Sequence, residues 1–597
     1  MNDEIVLAES GRTAWRIVMG HPAHETVKLA CDELHHFIME MSGASLPVQT
    51  ELVSGPDREL IIGPCGRLAA HGVAVDWDAL GDEEYVIFAE DSYILLAGRT
   101  PRATLYAVYA FLEEELGCRW FASDCALIPR VRRLTCRRTR RTDKPAFESR
   151  EAFWHDAFDG RFAVRSRMNS NKADISVRQG GRLKFFNFSH SMNDLIPPDE
   201  YFDTHPEYFS MVDGARRKDH TQLCLTNPDV LRLCVARVKQ WIRDNPDCTV
   251  FSVAQNDWEN YCTCPDCAAV DAEEGSHAGT MIRFVNQVAE AIEAEYPHVL
   301  IHTFAYRYTR KAPRLARPRH NVIVRLCSIE CCFSHPLDGK LLAPLSAGAG
   351  KGAHPQCAAL GETAFLDDLR AWSRITDRLY VWDYVTQFRN YLLPMPNFDT
   401  LQSNLRLFRD IGVRGILEEG NFSQGGGGHL AELEAYLQAK LMWNPDCDVE
   451  THMREFLAGY YGEAAAPLVR EYIEMWQQAA RPWHVGIYET CRSAFITDEL
   501  IRRAVNTLSE ALFLTADPAQ RKRLNRLLLG MTYLTLCRMP PDTPGRDALI
   551  DRFGWELREA GISEIRERMT PEESLDEMRK SGDSRTWTRR IVNDYKV

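Results

Sequence analysis

The sequence predicts an α/β protein built on a (β/α)8 barrel of the TIM type, with an N-terminal α+β domain and a C-terminal helical domain. Three observations predict it. From about residue 145 to 445, short apolar runs alternate with amphipathic stretches, giving eight candidate strands with βα alternation. Before that region, two helical segments flank a set of β-like runs. After Trp443-Asn444-Pro445 the apolar spacing becomes helical and stays so. The expected boundaries are 1–143, 144–445 and 446–597.

In the first region, Val27, Leu29, Ala30, Leu34, Phe37, Ile38 and Met41 recur at helical spacing, and Gly43 ends the run. The β-like runs are 60–63, 85–88 and 93–97. A second helix, Thr100 to Leu116, stops at Gly117. This reads as helices on one face of a small sheet. The barrel strands are expected at 147–153, 184–188, 222–225, 249–254, 299–304, 322–327, 379–382 and 415–417. Helices are expected at 229–244, 279–296, 362–376 and 398–411. An open doubly wound sheet is the alternative, but no GxGxxG or P-loop follows any strand, which weakens its nucleotide-binding version. The C-terminal helices are expected at 449–460, 464–481, 497–514 and 518–537, without a solenoid repeat.

Composition excludes several function classes. Hydrophobic residues make up 45% and charged residues 26% of the 597, with a net charge of −13. Phosphate-backbone binding rests on clustered Lys and Arg, so nucleic acid is not an expected partner. The one basic cluster, Arg130 to Arg141, contains no aromatic residue and reads as a solvated connection. No apolar run approaches the ~18 residues needed to span a bilayer, so a membrane is not expected either. The opening MNDEIVLAESGRTAW has no basic n-region followed by an apolar stretch. The eighteen cysteines therefore read as reduced thiols or metal ligands, and the expected location is cytoplasmic.

Barrel enzymes draw their sites from the C-terminal ends of strands. Here those ends offer Trp154, His190, the run Gln255-Asn256-Asp257-Trp258-Glu259, Tyr306-Arg307, Ser328-Ile329-Glu330, Trp382-Asp383-Tyr384 and Glu418-Glu419-Gly420-Asn421. Four carboxylates, Asp257, Glu330, Asp383 and Glu418, are the catalytic candidates. Glu419 is the alternative to Glu418, because neighbouring strand residues face opposite ways. Trp154, His190, Asn256, Trp258, Tyr306, Trp382, Tyr384 and Asn421 are the substrate-binding candidates. The pattern suits glycosidic cleavage, in which one carboxylic acid protonates the leaving oxygen and a second carboxylate supports the opposite face. Aromatic rings offer apolar faces to sugar C–H groups. For each acid alone, helix capping or pairing with an arginine is the structural alternative. The expected partner is an oligosaccharide or glycoside, and this chemistry requires no cofactor.

Cys262, Cys264 and Cys267 have the spacing of a metal knuckle and are candidate ligands of a structural zinc, with His277 as one option for the fourth. Reduced thiols packing a loop are the alternative. The chain has no HExxH for a catalytic zinc, no GxSxG, and no Lys-Ser/Thr after Gly425–Gly428.

The segments SVAQNDWENYCTCPDCAAVDAEEGS, FAYRYTRKAP, RLCSIECCFSHPL, VWDYVTQFRNYLLPMPNF, GILEEGNF and LQAKLMWNPDCD together resemble the bacterial domain-of-unknown-function family 4838, a glycoside-hydrolase-like barrel related to glycoside hydrolase family 163. The first region, ending LYAVYAFLEEELGCRWF, resembles the N-terminal domain of family 67 alpha-glucuronidases, or hexosaminidase domain 2. The resemblance spans roughly residues 20 to 460. It implies an alpha-glucuronidase- or N-acetylhexosaminidase-like glycosidase, with Asp257, Glu330, Asp383 and Glu418 in the site. It also implies that the substrate's own acetamido group can serve as nucleophile. The resemblance leads to the expectation of Glu-Gln where this chain has Glu418-Glu419. On this reading Glu330 or Asp257 is the acid, and Asp383 or Glu418 its partner. The rival functions are a non-catalytic carbohydrate-binding barrel and a zinc-dependent hydrolase.

Overall fold

The computed structural model describes residues 4–54, 58–339, 362–423 and 425–580. The chain is mixed α/β and TIM-barrel-like, with a helical C-terminal part. It folds as two compact units, each drawn from separate stretches. The first takes residues 1–182, 430–469 and 511–524, and the second takes 183–429, 470–510 and 525–597. The expected boundaries at 143 and 445 do not coincide with these units.

In the first unit, β1 (Trp15–Met19), β2 (Val48–Thr50), β3 (Arg58–Ile62), β4 (Tyr85–Ala89), β5 (Tyr93–Gly98) and β6 (Thr139–Asp143) form one sheet in the order β6-β4-β5-β3-β1-β2. Helix α1 (Glu25–Ser42) starts at His24, whose ring accepts from the Thr26 N–H, and ends at Gly43, which adopts φ 73°. Helix α2 (Pro101–Ala110) is capped by the Thr100 hydroxyl. Both pack their apolar faces on the sheet through Leu34, Ile38, Leu105 and Tyr109. The opposite face is covered too. Ile61, Val86, Phe88 and Leu95 pack against Leu68, Trp77 and Leu80, so the sheet is buried on both sides rather than one.

The basic stretch 130–141 is not a solvated connection. Arg133–Arg137 pairs with Glu4–Glu9, and β6 begins within it. Leu134 and Cys136 alternate inward while Arg133 and Arg137 point out. The density of arginines masked the period-two pattern of Leu134 and Cys136.

In the second unit six parallel strands follow one another in space as in sequence: β7 (Phe185–Phe186), β8 (Val250–Ser252), β9 (Leu300–Ala305), β10 (Val322–Cys327), β11 (Leu379–Tyr384) and β12 (Gly415–Glu419). Helices α3 (Pro228–Asp244), α4 (Pro265–Glu274), α5 (His277–Glu293), α6 (Glu362–Ser373) and α7 (Phe398–Ile411) lie between them in sequence. The expected strand at 222–225 is absent from the sheet. Phe185 pairs directly with Val250, and Leu223 makes one isolated bridge to Phe209. Its neighbours have other partners, Gln222 holding the loop after β8 and Cys224 facing other cysteines.

Inward-facing residues of these strands stack in layers. The lowest contains Phe185, Tyr380 and Arg325, whose guanidinium lies 5.1–5.5 Å from the rings of Phe185, Phe188 and Tyr380. Arg325 Nε donates to His302 Nε2 at 3.2 Å. Burial and the Arg325 charge push the His302 pKa well down, which leaves that nitrogen free to accept. Gly415 makes room for this layer, since a Cβ there would lie 2.5 Å from the Tyr380 ring. Above it sit Phe304, Cys327 and Trp382, with Phe188 stacked on Trp382 at 5.4 Å.

The C-terminal helices run Val449–Tyr461, Ala466–Ala480, Asp498–Leu514, Pro518–Arg538, Arg546–Glu559 and Pro571–Lys580. No described helix is long and apolar enough to cross a membrane.

Candidate active site

The C-terminal ends of β7 to β12 open into a cavity of about 550 Å³, within the size range of small-molecule sites. Strand parity decides which residues reach it. Trp382 and Tyr384 face inward on β11, and Glu419 lies beside Tyr384 in register on β12. The pair one residue out of phase, Asp383 and Glu418, is buried and does not line the cavity. Asp383 accepts from the Ser328 hydroxyl at 2.5 Å and from the Tyr384 N–H at 3.0 Å. Burial raises its pKa to about 6 despite those bonds.

Six expected site residues line the cavity together: Asp257, Glu330, His190, Tyr306, Trp382 and Tyr384. The other four binding candidates do not. Trp154 is buried in the first unit, where its indole N–H donates to Gln438. Asn256 fixes the loop after β8, its amide donating to Asn193 and to the Thr221 carbonyl. Trp258 sets its ring edge-on to His220 at 4.2 Å. Asn421 accepts from the Ser423 N–H and donates to the Gly426 carbonyl, shaping the turn after β12.

Glu419 is a carboxyl strongly altered by its surroundings. Burial raises its pKa to about 8. The Trp382 indole N–H, donating to Oε2 at 2.8 Å, opposes this, and the charges of Glu567 and Asp257 add to it. Glu330 differs in kind, being 44% exposed and paired with Arg310 at 3.1 Å. Asp257 stands 3.9 Å from His190 Nε2, and its buried Oδ1 has no hydrogen-bond partner among the described residues. His190 Nδ1 donates to the Gln255 carbonyl at 2.6 Å, which turns Nε2 toward Asp257. Gln222 holds this loop, donating to the carbonyls of Asn256 (2.8 Å) and Trp258 (2.5 Å) and accepting from the Asn256 N–H (2.9 Å).

Sequence reasoning did not find the rest of the wall. Phe388 and Arg389 follow β11 inside the segment VWDYVTQFRNY, whose aromatic and cationic character was the available signal. Tyr488 and Glu489 come from a non-helical stretch between two C-terminal helices, and Arg566, Glu567 and Arg568 from another. Gln387 anchors the first stretch, accepting from the Glu489 N–H and donating to the Gly486 carbonyl. The signal there was an aromatic, charged interruption (HVGIYET) in an otherwise helical region. Arg307 and Arg568 adopt left-handed φ values of 52° and 58°, a strained backbone of the kind that collects at binding sites. Burial lowers the Arg389 pKa even though Glu489 is near it.

Cys262, Cys264 and Cys267 lie together in the loop and first turn that follow β8, and the residue that joins them is Cys224, not His277. His277 Nδ1 instead meets Asp271 at 2.6 Å. None of these cysteines lines the cavity.

Comparison with known proteins agrees with this architecture. A family GH115 4-O-methyl-alpha-glucuronidase with specificity for decorated arabinogalactans superposes with a TM-score of 0.57 at 11% identity, over 93% of this chain and 77% of that one. The two share a fold. A GH138 enzyme targeting pectin rhamnogalacturonan II aligns at a TM-score of 0.44 and 9% identity, over 98% of this chain and 80% of that one. No curated protein sequence matches significantly. A family profile described as "Domain of unknown function (DUF4838)" matches residues 120–474, more than half of the sequence, and the chain belongs to that family.

Proposed function

We propose that this chain is a glycoside hydrolase in which Glu419 is the general acid and Asp257 the partner carboxylate. The observation that carries the proposal is the state of Glu419. An acid that protonates a glycosidic oxygen must hold its proton near neutral pH, and burial beside Trp382 raises this carboxyl to about 8. Glu330, one of the two acids expected from sequence, is exposed and ion-paired. Asp383 and Glu418, the expected partners, lie outside the cavity.

The buried Oδ1 of Asp257 accepts no hydrogen bond from the described residues, so a substrate group can donate to it. It is suited to polarise an acetamido group, to receive a water proton, or to support an oxocarbenium-like centre. Trp382, Tyr384 and Tyr306 supply apolar faces for a sugar ring. Arg389 favours the alpha-glucuronidase-like version. A cation whose pKa falls on burial is short of counter-charge, and a uronic acid carboxylate would supply it.

The test is a screen of aryl uronides, aryl N-acetylhexosaminides and N-glycan fragments with the wild type, Glu419→Gln and Asp257→Asn. The proposal expects turnover by the wild type and losses of about 100-fold or more in each variant. Sugar binding without turnover by the wild type would establish a carbohydrate-binding barrel instead. Undiminished turnover in both variants would overturn the residue assignment.

A further inference from the structure

Four cysteine sulfurs, of Cys224, Cys262, Cys264 and Cys267, lie within 4.8 Å of one another, and all four residues are buried. The Cys224 sulfur is 3.7 Å from that of Cys264 and 3.9 Å from that of Cys267. A tetrahedral zinc with Zn–S bonds of ~2.3 Å requires sulfur-to-sulfur edges of ~3.8 Å. The two Cys224 edges match that figure, and the remaining edges are no longer than 4.8 Å.

The surroundings favour anionic sulfur over four packed thiols. The Met211 N–H and the Arg216 guanidinium both donate to Cys262 Sγ, at 3.4 and 3.5 Å. The Thr226 hydroxyl is 3.2 Å from Cys267 Sγ. Cys264 is the N-cap of the ten-residue helix α4, and Cys267 lies in its first turn, where the helix dipole favours negative charge. Met211 and Arg216 pair across a two-residue hairpin whose Asp213 and Gly214 both take positive φ, the usual build of a tight hairpin turn.

We infer that Cys224, Cys262, Cys264 and Cys267 hold one structural zinc ion that fixes the loop carrying Asp257. Four thiolates close the coordination sphere and leave no open position for a catalytic water. The consequence lies in the chain path. Gln222, which clamps the carbonyls of Asn256 and Trp258, is two residues before Cys224, and Glu259 of the cavity wall is three residues before Cys262. One ion therefore ties both sides of the clamp. The positioning role rests on the function proposed for Asp257, whereas the metal site does not.

The experiment uses the full chain. Elemental analysis after dialysis against metal-free buffer is expected to find about one zinc per wild-type chain, and Cys224→Ser is expected to lose most of it. Exchange with Co2+ is expected to give thiolate-to-cobalt charge-transfer absorption. Wild-type protein grown with zinc that contains none and takes up no Co2+, or mass spectrometry showing these cysteines as disulfides, would overturn the site. Should Cys224→Ser fail to fold, wild-type chain stripped by a mercurial reagent serves in its place. Hydrogen exchange across 255–264 is then expected to rise at least tenfold while the strands β9 to β12 keep their protection. Unchanged exchange in that segment would overturn the positioning role and leave the glycosidase reading untouched.

Discussion

Glu113, buried in the first unit, and Glu419, half-buried at the cavity wall of the second, shift their carboxyls in opposite directions. Burial alone raises either one. At Glu113, Lys440 and Arg167 more than offset burial and hold the carboxyl down to about 2, with Arg167 at 2.9 Å and Lys440 in direct contact. At Glu419 the neighbours include two further acids and one indole N–H, and the carboxyl rises to about 8. The first glutamate is therefore a fixed charge in a structural ion-pair cluster. The second is a carboxyl that keeps its proton at the wall of a cavity. The lesson is that burial alone does not set the direction of a carboxyl's shift, whereas the presence or absence of a counter-charge does.

The comparison is most easily broken at its two centres. Glu419→Gln is expected to reduce kcat by about 100- to 10,000-fold on a substrate with a poor leaving group, with a melting temperature at neutral pH no lower than that of the wild type. A stability loss with normal turnover would reverse the roles assigned to the pair. Glu113→Gln is expected to do the opposite. Leaving Lys440 and Arg167 buried against a neutral amide should cost about 3–5 kcal/mol in denaturant unfolding, while turnover per folded molecule stays normal.

pH separates the two further. Glu113 has a folded pKa below its ordinary 4.5, so its stabilisation is complete above pH 4.5 and is lost as pH falls toward about 2. Glu419 has a folded pKa above 4.5, so its contribution is complete below pH 4.5 and is lost as pH rises through about 8. Its activity follows the same proton, and kcat/KM is expected to decline through about pH 8. Glu419→Gln should abolish that limb, and its persistence in the variant would assign the proton to another group. The smallest effect belongs to Trp382→Phe. Removing the indole N–H removes a bond that favours the ionised form, so the alkaline limb should move up, by less than about one pH unit. A downward move would contradict the assigned hydrogen bond.

Much of this was legible in the sequence. Strands 322–327 and 379–382 and helix 398–411 were readable because parallel-sheet strands are continuous apolar runs and barrel helices carry one apolar stripe. Asp257 and the aromatic pair Trp382 and Tyr384 were readable because they directly follow, or end, such runs. Three kinds of feature were not. The choice between Glu418 and Glu419 turns on parity, which a one-residue change in strand start reverses. The run 222–225 is apolar enough for a strand, and its withdrawal from the sheet depends on partners at 256–258 and 262–267. The cavity wall from 487–491 and 566–568 comes from a region that in sequence shows only helices and interruptions.

By itself, then, the sequence determined the barrel-like α/β class, the helical C-terminal part and the set of acids and aromatics from which a site is built, because these follow from local periodicity. Tertiary structure alone decided which glutamate keeps its proton and which cysteine completes the cluster. Both depend on the charge and distance of residues far apart in the chain, and spacing along a sequence carries neither.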